Sequence, residues 1–302
     1  MEQRRRIAAY GVCRDDDRIL LTRASPATHV PGVWQVPGGG LEHGEHPAVA
    51  LVREVAEETG LTVEVTGIRA VVADVIHLPD LQVALHTDRV IYDVRIRGGT
   101  LRDEVDNSTD LVAWVPSGKV SRLPLMPFTA ELLGVPVAPL PVTPLPEAAQ
   151  ALGRRRHAPM RPGRGQRFAA YGLVTDPAGR VLLTLIAEGY PGAGRWHLPG
   201  GGTDHGEQPV AALLRELAEE TGQLGRVIRL LDVSHQRNPA ALGPEGYPID
   251  WHAVRAIYRV LVDLPTPPAV TEVAGSTARA RWFTLAEVAA LPLTEVAAAA
   301  LS

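Results

Sequence analysis

Two trios of glutamates carry the chemistry that can be read from this chain. Glu54, Glu57 and Glu58 follow one another at i, i+3 and i+4, and Glu216, Glu219 and Glu220 repeat the spacing. On a helix that spacing projects three carboxylates from one face, about 5–6 Å apart at Cβ. Like charges so close destabilise a helix, and glutamates late in a helix oppose its dipole. A local rule broken the same way twice points to a site. Three converging carboxylates call for a cation. With oxygen donors and no Cys or His cluster, Mg²⁺ (or Mn²⁺) is favoured over Zn²⁺. Magnesium keeps waters and shares its site with substrate phosphates. That links each trio to the glycines just before it, Gly38–Gly40 and Gly200–Gly202, where backbone can approach a phosphate or metal unobstructed. Arg53 and Arg215, four residues before Glu57 and Glu219, can orient those carboxylates. The bland alternative, a solvated acidic helix with an Arg–Glu pair, does not explain the glycine loop, Glu45 and the duplication together.

The elements that position these residues follow from local pattern. Pro47 suits a first helical position and Gly60 a C-terminal stop, with Val52, Val55 and Ala56 as the apolar stripe opposite the glutamates. Apolar runs at Ile7–Val12 and Arg18–Thr22, and at Phe168–Val174 and Arg180–Leu185, predict hairpins. Further strands are expected at Val63–Val72 and Val90–Ile96, and closing helices at Phe128–Leu133 and Leu285–Leu301. A β-rich order with two helices per copy predicts an α+β or layered mixed-sheet domain, not a doubly wound sheet.

The chain is written twice. Ala8–Val12 returns as Ala169–Leu173, and Trp34–Gly40 as Trp196–Gly202. The 23 residues Gly39–Leu61 match Gly201–Gln223 at fifteen positions. Residues 1–133 and 167–302 are therefore read as two domains. Their formal charges are −5 and −3, and residues 134–166 between them carry +4. That segment holds seven prolines and Arg154–Arg156, so it reads as a semi-rigid linker or a strap on a domain surface. The solvated linker is the simpler choice.

The doubled segment resembles the Nudix box, G-x5-E-x7-R-E-U-x-E-E-x-G-U with U aliphatic. Copy one fits throughout: Gly39, Glu45, Arg53-Glu54-Val55, Glu57-Glu58, Gly60-Leu61. Copy two fits at Gly201, Glu207, Arg215-Glu216-Leu217, Glu219-Glu220 and Gly222, and departs where Gln223 replaces the aliphatic residue. The resemblance implies two tandem α/β/α sandwiches with mixed β-sheets, and hydrolysis of a nucleoside diphosphate linked to another moiety. It implies metal binding by Glu54, Glu57, Glu58 and the Gly38 carbonyl, and by Glu216, Glu219, Glu220 and the Gly200 carbonyl. Arg53 and Arg215 would support catalysis. The general base stays open among Glu54, Glu216 and the loop acids Glu104 and Glu272.

The substrate handles are Trp34 and Trp196, Gly39 and Gly201, Arg89 and Arg255, and Glu104 and Glu272. Each has a duller reading. The tryptophans could pack in a wall instead of stacking on a base. The arginines could make cross-strand charge pairs instead of gripping phosphate. The glutamates could be solvated.

Composition sets the outer limits. With 45% apolar and 21% charged residues, the 302-residue chain is expected to fold. No window of about 18 apolar residues suggests a membrane span. Ile7–Cys13 after Arg4–Arg6 is better read as a strand than as a signal peptide. A net charge of −4 disfavours nucleic-acid duplexes as partners. A single cysteine, Cys13, suits a reducing cytoplasm. Three readings remain: two working sites, one working site with a structural partner half, or a nucleotide sensor without turnover. Intramolecular pairing of the halves or a homodimer fits the duplication.

Overall fold

The structure is a computed structural model that describes all residues except 105–107, 148, 151–159, 162, 243–246 and 272–274. It divides into two compact units, Met1–Gln166 with Arg237–His252, and Arg167–Gln236 with Ala253–Ser302. Glu272 and Arg154–Arg156 lie outside the described residues.

The first sheet has seven strands: β1 (Glu2–Asp15), β2 (Arg18–Ala24), β3 (Trp34–Gln35), β4 (Gly38–Gly40), β5 (Leu61–Leu78), β6 (Val83–Gly99) and β7 (Thr109–Pro116). Their order is β3-β2-β1-β6-β5, with β4 on β1 and β7 on β2. β1 and β6 run parallel from Glu2↔Val83 to Cys13↔Val94, whereas β5 and β6 form a long antiparallel hairpin. The sheet is therefore mixed, as expected, and its strands are longer than the apolar runs alone indicate. The reason is visible in β5, where exposed Thr62, Glu64 and Thr66 alternate with inward residues and ladder pairing carries the strand through them.

Helices cover both faces. In β1, Gly11 lies under Leu51 of α1 (Pro47–Thr59), while Tyr10 meets Phe128 of α2 (Pro127–Leu133) at 4.7 Å between ring centroids. Successive strand residues point to opposite faces, so these two contacts make a three-layer α/β/α sandwich. α1 begins at Pro47 and ends on Gly60, whose φ of +72° is the left-handed cap glycine favours. Its buried stripe is Ala50, Leu51, Val55, Glu58 and Thr59. This corrects the expected stripe: Val52 and Ala56 are only half-buried, and Glu58 lies at i+7 and i+3 from Leu51 and Val55. One of the three glutamates is thus on the buried side.

The second sheet repeats the plan with β8 (Arg164–Thr175), β9 (Val181–Ile186), β10 (Trp196–His197), β11 (Gly200–Gly202), β12 (Arg226–Leu242), β13 (Pro248–Leu261) and β14 (Thr277–Phe283). Its order is β10-β9-β8-β13-β12, with β11 on β8 and β14 on β9. α3 (Pro209–Thr221) lies on the Gly172 side of β8, where Leu213 is close to Gly172. The closing helix is two pieces, α4 (Leu285–Val288) and α5 (Glu295–Leu301), not one. Pro292 cannot donate to a helix, and its carbonyl instead accepts from Trp196 N–H at 2.8 Å. Thr294 then caps the restart.

The segment after α2 does not run through solvent. Leu140 packs on the first core, Val142 on Leu78, Val83 and Leu85, and Leu145 and Ala149 are buried. Of the two sequence readings, the strap describes residues 140–145, because Leu140, Val142 and Leu145 find partners on the first unit.

Candidate active site

In the first copy, α1 delivers the glutamates and β4 delivers the glycines. Gly38 N–H donates to Glu58 Oε2 at 2.9 Å, and the Thr109 hydroxyl donates to Glu58 Oε1 at 2.9 Å. Glu58 is 3% exposed. Burial pushes its carboxyl up to about 8, with Glu54 and Glu104 adding to the rise and the two donors opposing it. Glu54 is also raised, by burial first, against the pull of Arg53 and Arg6. Glu57 is the exposed member.

Arg53 sits at the centre of the acids. It donates to Glu45 (2.9 Å), Glu54 (2.9 Å), Glu57 (3.2 Å) and the Gly40 carbonyl (3.1 Å). Glu45 also accepts from Glu42 N–H at 2.9 Å, which closes the loop ahead of the helix. Burial opposes ionisation of Glu45, but Arg53 and that N–H outweigh it and hold the carboxyl below its ordinary range. Copy two reproduces the arrangement. Arg215 donates to Glu207 (3.0 Å), Glu216 (3.1 Å), Glu219 (3.2 Å) and the Gly202 carbonyl (3.2 Å). Glu220 accepts from Gly200 N–H at 2.9 Å and from the Thr277 hydroxyl.

The glycines also make room for the helix carboxylates. A Cβ on Gly39 would stand 2.2 Å from Glu54 Oε2, and one on Gly201 would stand 2.5 Å from the Glu216 carboxyl. The space their missing side chains leave is filled by the helix carboxylates themselves. Gly38 and Gly200 have φ of +141° and +133°, and a Cβ there would meet the Ala9 and Ala170 carbonyls at 2.2 Å. Only glycine lets these strands lie so close to β1 and β8.

A cavity of about 480 Å³ in the first unit has Gly38–Gly40, Glu54, Glu57, Glu58, Arg6 and Arg89 in its lining. Its size is ordinary for a small-ligand site. The donor set suits a hard divalent cation by chemistry: carboxylates on one cavity wall, beside backbone. Glu54, Glu57 and Glu58 all line this cavity. Among the described residues, no three His, Cys, Asp or Glu side chains are grouped so as to hold a metal ion. Arg53 balances Glu54 and Glu57, and Glu58 is turned onto Gly38 and Thr109.

The remaining handles separate. Trp34 and Trp196 are buried in the two cores, against Arg23 and against Phe283 and Arg279. They take the wall-packing alternative, and Trp34 is not among the residues lining the cavity. Arg89 does line it, but is held by Asp74 at 2.6 Å and lies over Phe128, so the charge-pair reading also applies. Arg255 is half-buried and donates to Gln236. Glu104 accepts from Thr109 N–H at 3.2 Å, close behind Glu58. Glu272 lies outside the described residues. Cys13 is buried, and its thiol is pushed up to about 11 by desolvation, as suits a core residue.

Sequence reasoning passed over Arg6, Thr109 and Thr277. Arg6 lines the cavity beside Gly40, and Arg167 stands beside Gly202 in the same way. Their signal was the duplication: each arginine precedes the repeated apolar run, and each threonine ends a repeated Ser-Thr pair.

Comparison with known proteins agrees with the doubled plan. The family model of the NUDIX domain matches residues 2–133 and again 165–301. An 8-oxo-dGTP diphosphatase of Proteus vulgaris is 39% identical over 57 residues, 19% of this chain and 51% of that protein. An ADP-ribose pyrophosphatase of Methanocaldococcus jannaschii is 31% identical over 96 residues, 32% of this chain and 54% of that protein. The chain spans about half the length of each. A MutT NUDIX hydrolase structure from Burkholderia pseudomallei is 32% identical, with 46% of this chain and 97% of that chain covered and a TM-score of 0.36. No helix among the described residues is long and apolar enough to cross a membrane. Nudix hydrolases are generally dependent on a divalent metal. With both boxes, both mixed sheets and both matches in hand, the chain belongs to the Nudix hydrolase family and carries two Nudix domains in tandem.

Proposed function

We propose that the chain hydrolyses the diphosphate bond of a nucleoside diphosphate linked to another moiety, with Mg²⁺ as the working cation. Nucleoside triphosphates and ADP-ribose-like compounds are the substrate classes, in line with the relatives' names. The observation that carries this reading is that Glu54, Glu57, Glu58 and Gly38–Gly40 line one cavity with two arginines. Glu54, Glu57 and Glu58, with the Gly38 carbonyl, would hold the cation, and Glu216, Glu219, Glu220 and the Gly200 carbonyl would do so in copy two. A bound divalent cation neutralises the diphosphate and acidifies a water. Arg53 and Arg215 position the acids around them. Arg6 and Arg89 supply positive charge at the phosphate end. Glu54 or Glu104 accepts the proton from the attacking water, with Glu216 or Glu272 in that role in copy two. Attack at phosphorus requires positioning and charge stabilisation and no covalent intermediate on the protein.

The test is ³¹P NMR of product release from a nucleotide panel, with Glu57→Gln and Glu219→Gln combined. Turnover should fall on the order of 100-fold or more. A double variant as active as wild type would end the proposal.

In a second reading one half is the working one; the first copy is the candidate, because its glutamates line the 480 Å³ cavity.

A further inference from the structure

The first cavity is lined by side chains of two chemical kinds. The glutamates, the glycines and the arginines are one. The other is apolar: Val30, Ile76, Leu78, Leu85, Met126 and, from outside the repeated domain, Leu145. Leu145 belongs to the strap after α2 and is 5% exposed. Three hydrogen bonds fix it there. Thr143 N–H donates to the His29 carbonyl at 2.8 Å, Leu145 N–H donates to Asp80 Oδ2 at 3.3 Å, and the His29 ring meets Asp80 at 3.1 Å. His29 lies in the loop after β2, and Asp80 in the turn between β5 and β6. One carboxylate therefore ties two loops of the domain to the strap, and the knot itself borders the cavity through His29. Below it, Val142 anchors the strap on Leu78, Val83 and Leu85. The repeat does not carry the knot over: aligned on the following tryptophans, His29 corresponds to Pro191.

We propose that the strap is a built-in wall of the first site and that Leu145 is a specificity-determining residue, selecting substrates with a flat heteroaromatic base at the end away from the diphosphate. This rests on the hydrolase reading and goes further, because it assigns base selection to a segment outside the Nudix repeat. A nucleobase offers two apolar faces and a polar edge. Five aliphatic side chains and a methionine suit the faces, and Gln35 and His29 border the same cavity as edge partners. Asp80 is a positioning residue that acts through Leu145.

The experiment uses the full chain carrying Glu219→Gln, so that turnover reports the first site. Leu145→Ala should raise KM for a nucleoside triphosphate about ten-fold, the scale of lost apolar contact in a pocket, with kcat within about two-fold. Inorganic triphosphate, which lacks the base, should show an unchanged KM. Asp80→Ala should reproduce the shift, and Asp80→Asn, which keeps an acceptor for Leu145 N–H, should restore it. Val142→Ala, which loosens the strap's anchor without touching the cavity lining, should lower thermal stability more than it moves KM. Equal KM shifts for both substrates, or none for either, would overturn the assignment. If the Glu219→Gln parent shows no turnover, the working site is the second one where wild type still turns over, and the hydrolase reading fails where wild type is silent too. The wall is then judged by calorimetry: Leu145→Ala should weaken GDP binding about ten-fold and leave pyrophosphate binding alone. A GDP affinity unchanged by Leu145→Ala would overturn it.

Discussion

The two copies agree in their charges and differ in their walls. Arg53 and Arg215 grip equivalent acids and carbonyls at distances that differ by 0.2 Å or less. Glu58 and Glu220 take equivalent backbone and threonine donors. Around these fixed centres the apolar surroundings have drifted. Gln35 stands where the second copy has His197, Leu61 where it has Gln223, and Leu145 of the strap lines the first cavity. Charged groups in a half-buried cluster leave little freedom, since removing one strands the others. A wall needs only volume and polar satisfaction, so it can change without disturbing the acids.

The largest effect that could break this comparison is a difference in activity between single variants. If the first cavity marks the working half, Glu57→Gln alone should reduce turnover on the order of 100-fold, and Glu219→Gln by less than about two-fold. Equal losses would mean that matched charges, not walls, decide competence. Chelation with EDTA should silence both halves, and Mg²⁺ or Mn²⁺ should restore them.

Next in size is the glycine pair. Gly38→Ala places a Cβ against backbone at a positive φ, so it should destabilise the first unit by about 3–4 kcal/mol. Gly39→Ala meets only the movable end of Glu54. It should lower activity while changing thermal stability by less than about 1 kcal/mol. Gly200→Ala and Gly201→Ala should divide in the same way. A reversal in either copy would show that the loops are not equivalent.

These glycines also mark how far the sequence could be read. Spacing alone located α1, its proline start and its glycine stop, because those rules are local. It did not show that a Cβ on Gly39 would meet Glu54, since a helix and a strand meet only in three dimensions. The split of the last helix at Pro292 was legible in principle, and the alanine-rich run around it masked the break. The strap was harder. Prolines argue for extended chain, but which surface it lies on depends on Val142 and Leu145 finding Leu78 and Asp80, more than 60 residues earlier.

The His197 difference predicts an acid sensitivity confined to one copy. Burial, with Arg255 adding, pushes His197 down to about 4, below its ordinary 6.5. The unfolded chain then binds the proton more readily than the fold does. Stability is full above pH 6.5 and declines as pH falls towards 4. Between pH 7 and pH 5 the loss is about 2 kcal/mol, and about 3 kcal/mol once the fold also protonates. His197→Gln, which copies Gln35, should remove that part of the slope in chemical denaturation of the full chain. Parallel pH profiles for variant and wild type would show that His197 is not the sensor.

The smallest expected effect tests whether a polar residue can replace an aliphatic one behind the box. Gln223 is 1% exposed, yet its amide is satisfied: it donates to Thr266 Oγ1 at 2.9 Å and to the Thr221 carbonyl at 3.2 Å, and accepts from Thr266 N–H at 3.0 Å. Leu224, the next residue, is left 85% exposed and does not take over the packing. Restoring the family's leucine with Gln223→Leu should therefore not stabilise the second unit. It removes the hydrogen bonds to exposed Thr266, which water then takes over, and should lower stability by about 0.5–1.5 kcal/mol in thermal unfolding, with the box chemistry unchanged. A gain in stability would mean that the hydrogen bonds contribute less than the apolar contact they displaced, and that the second copy retains a pocket shaped for the first copy's Leu61.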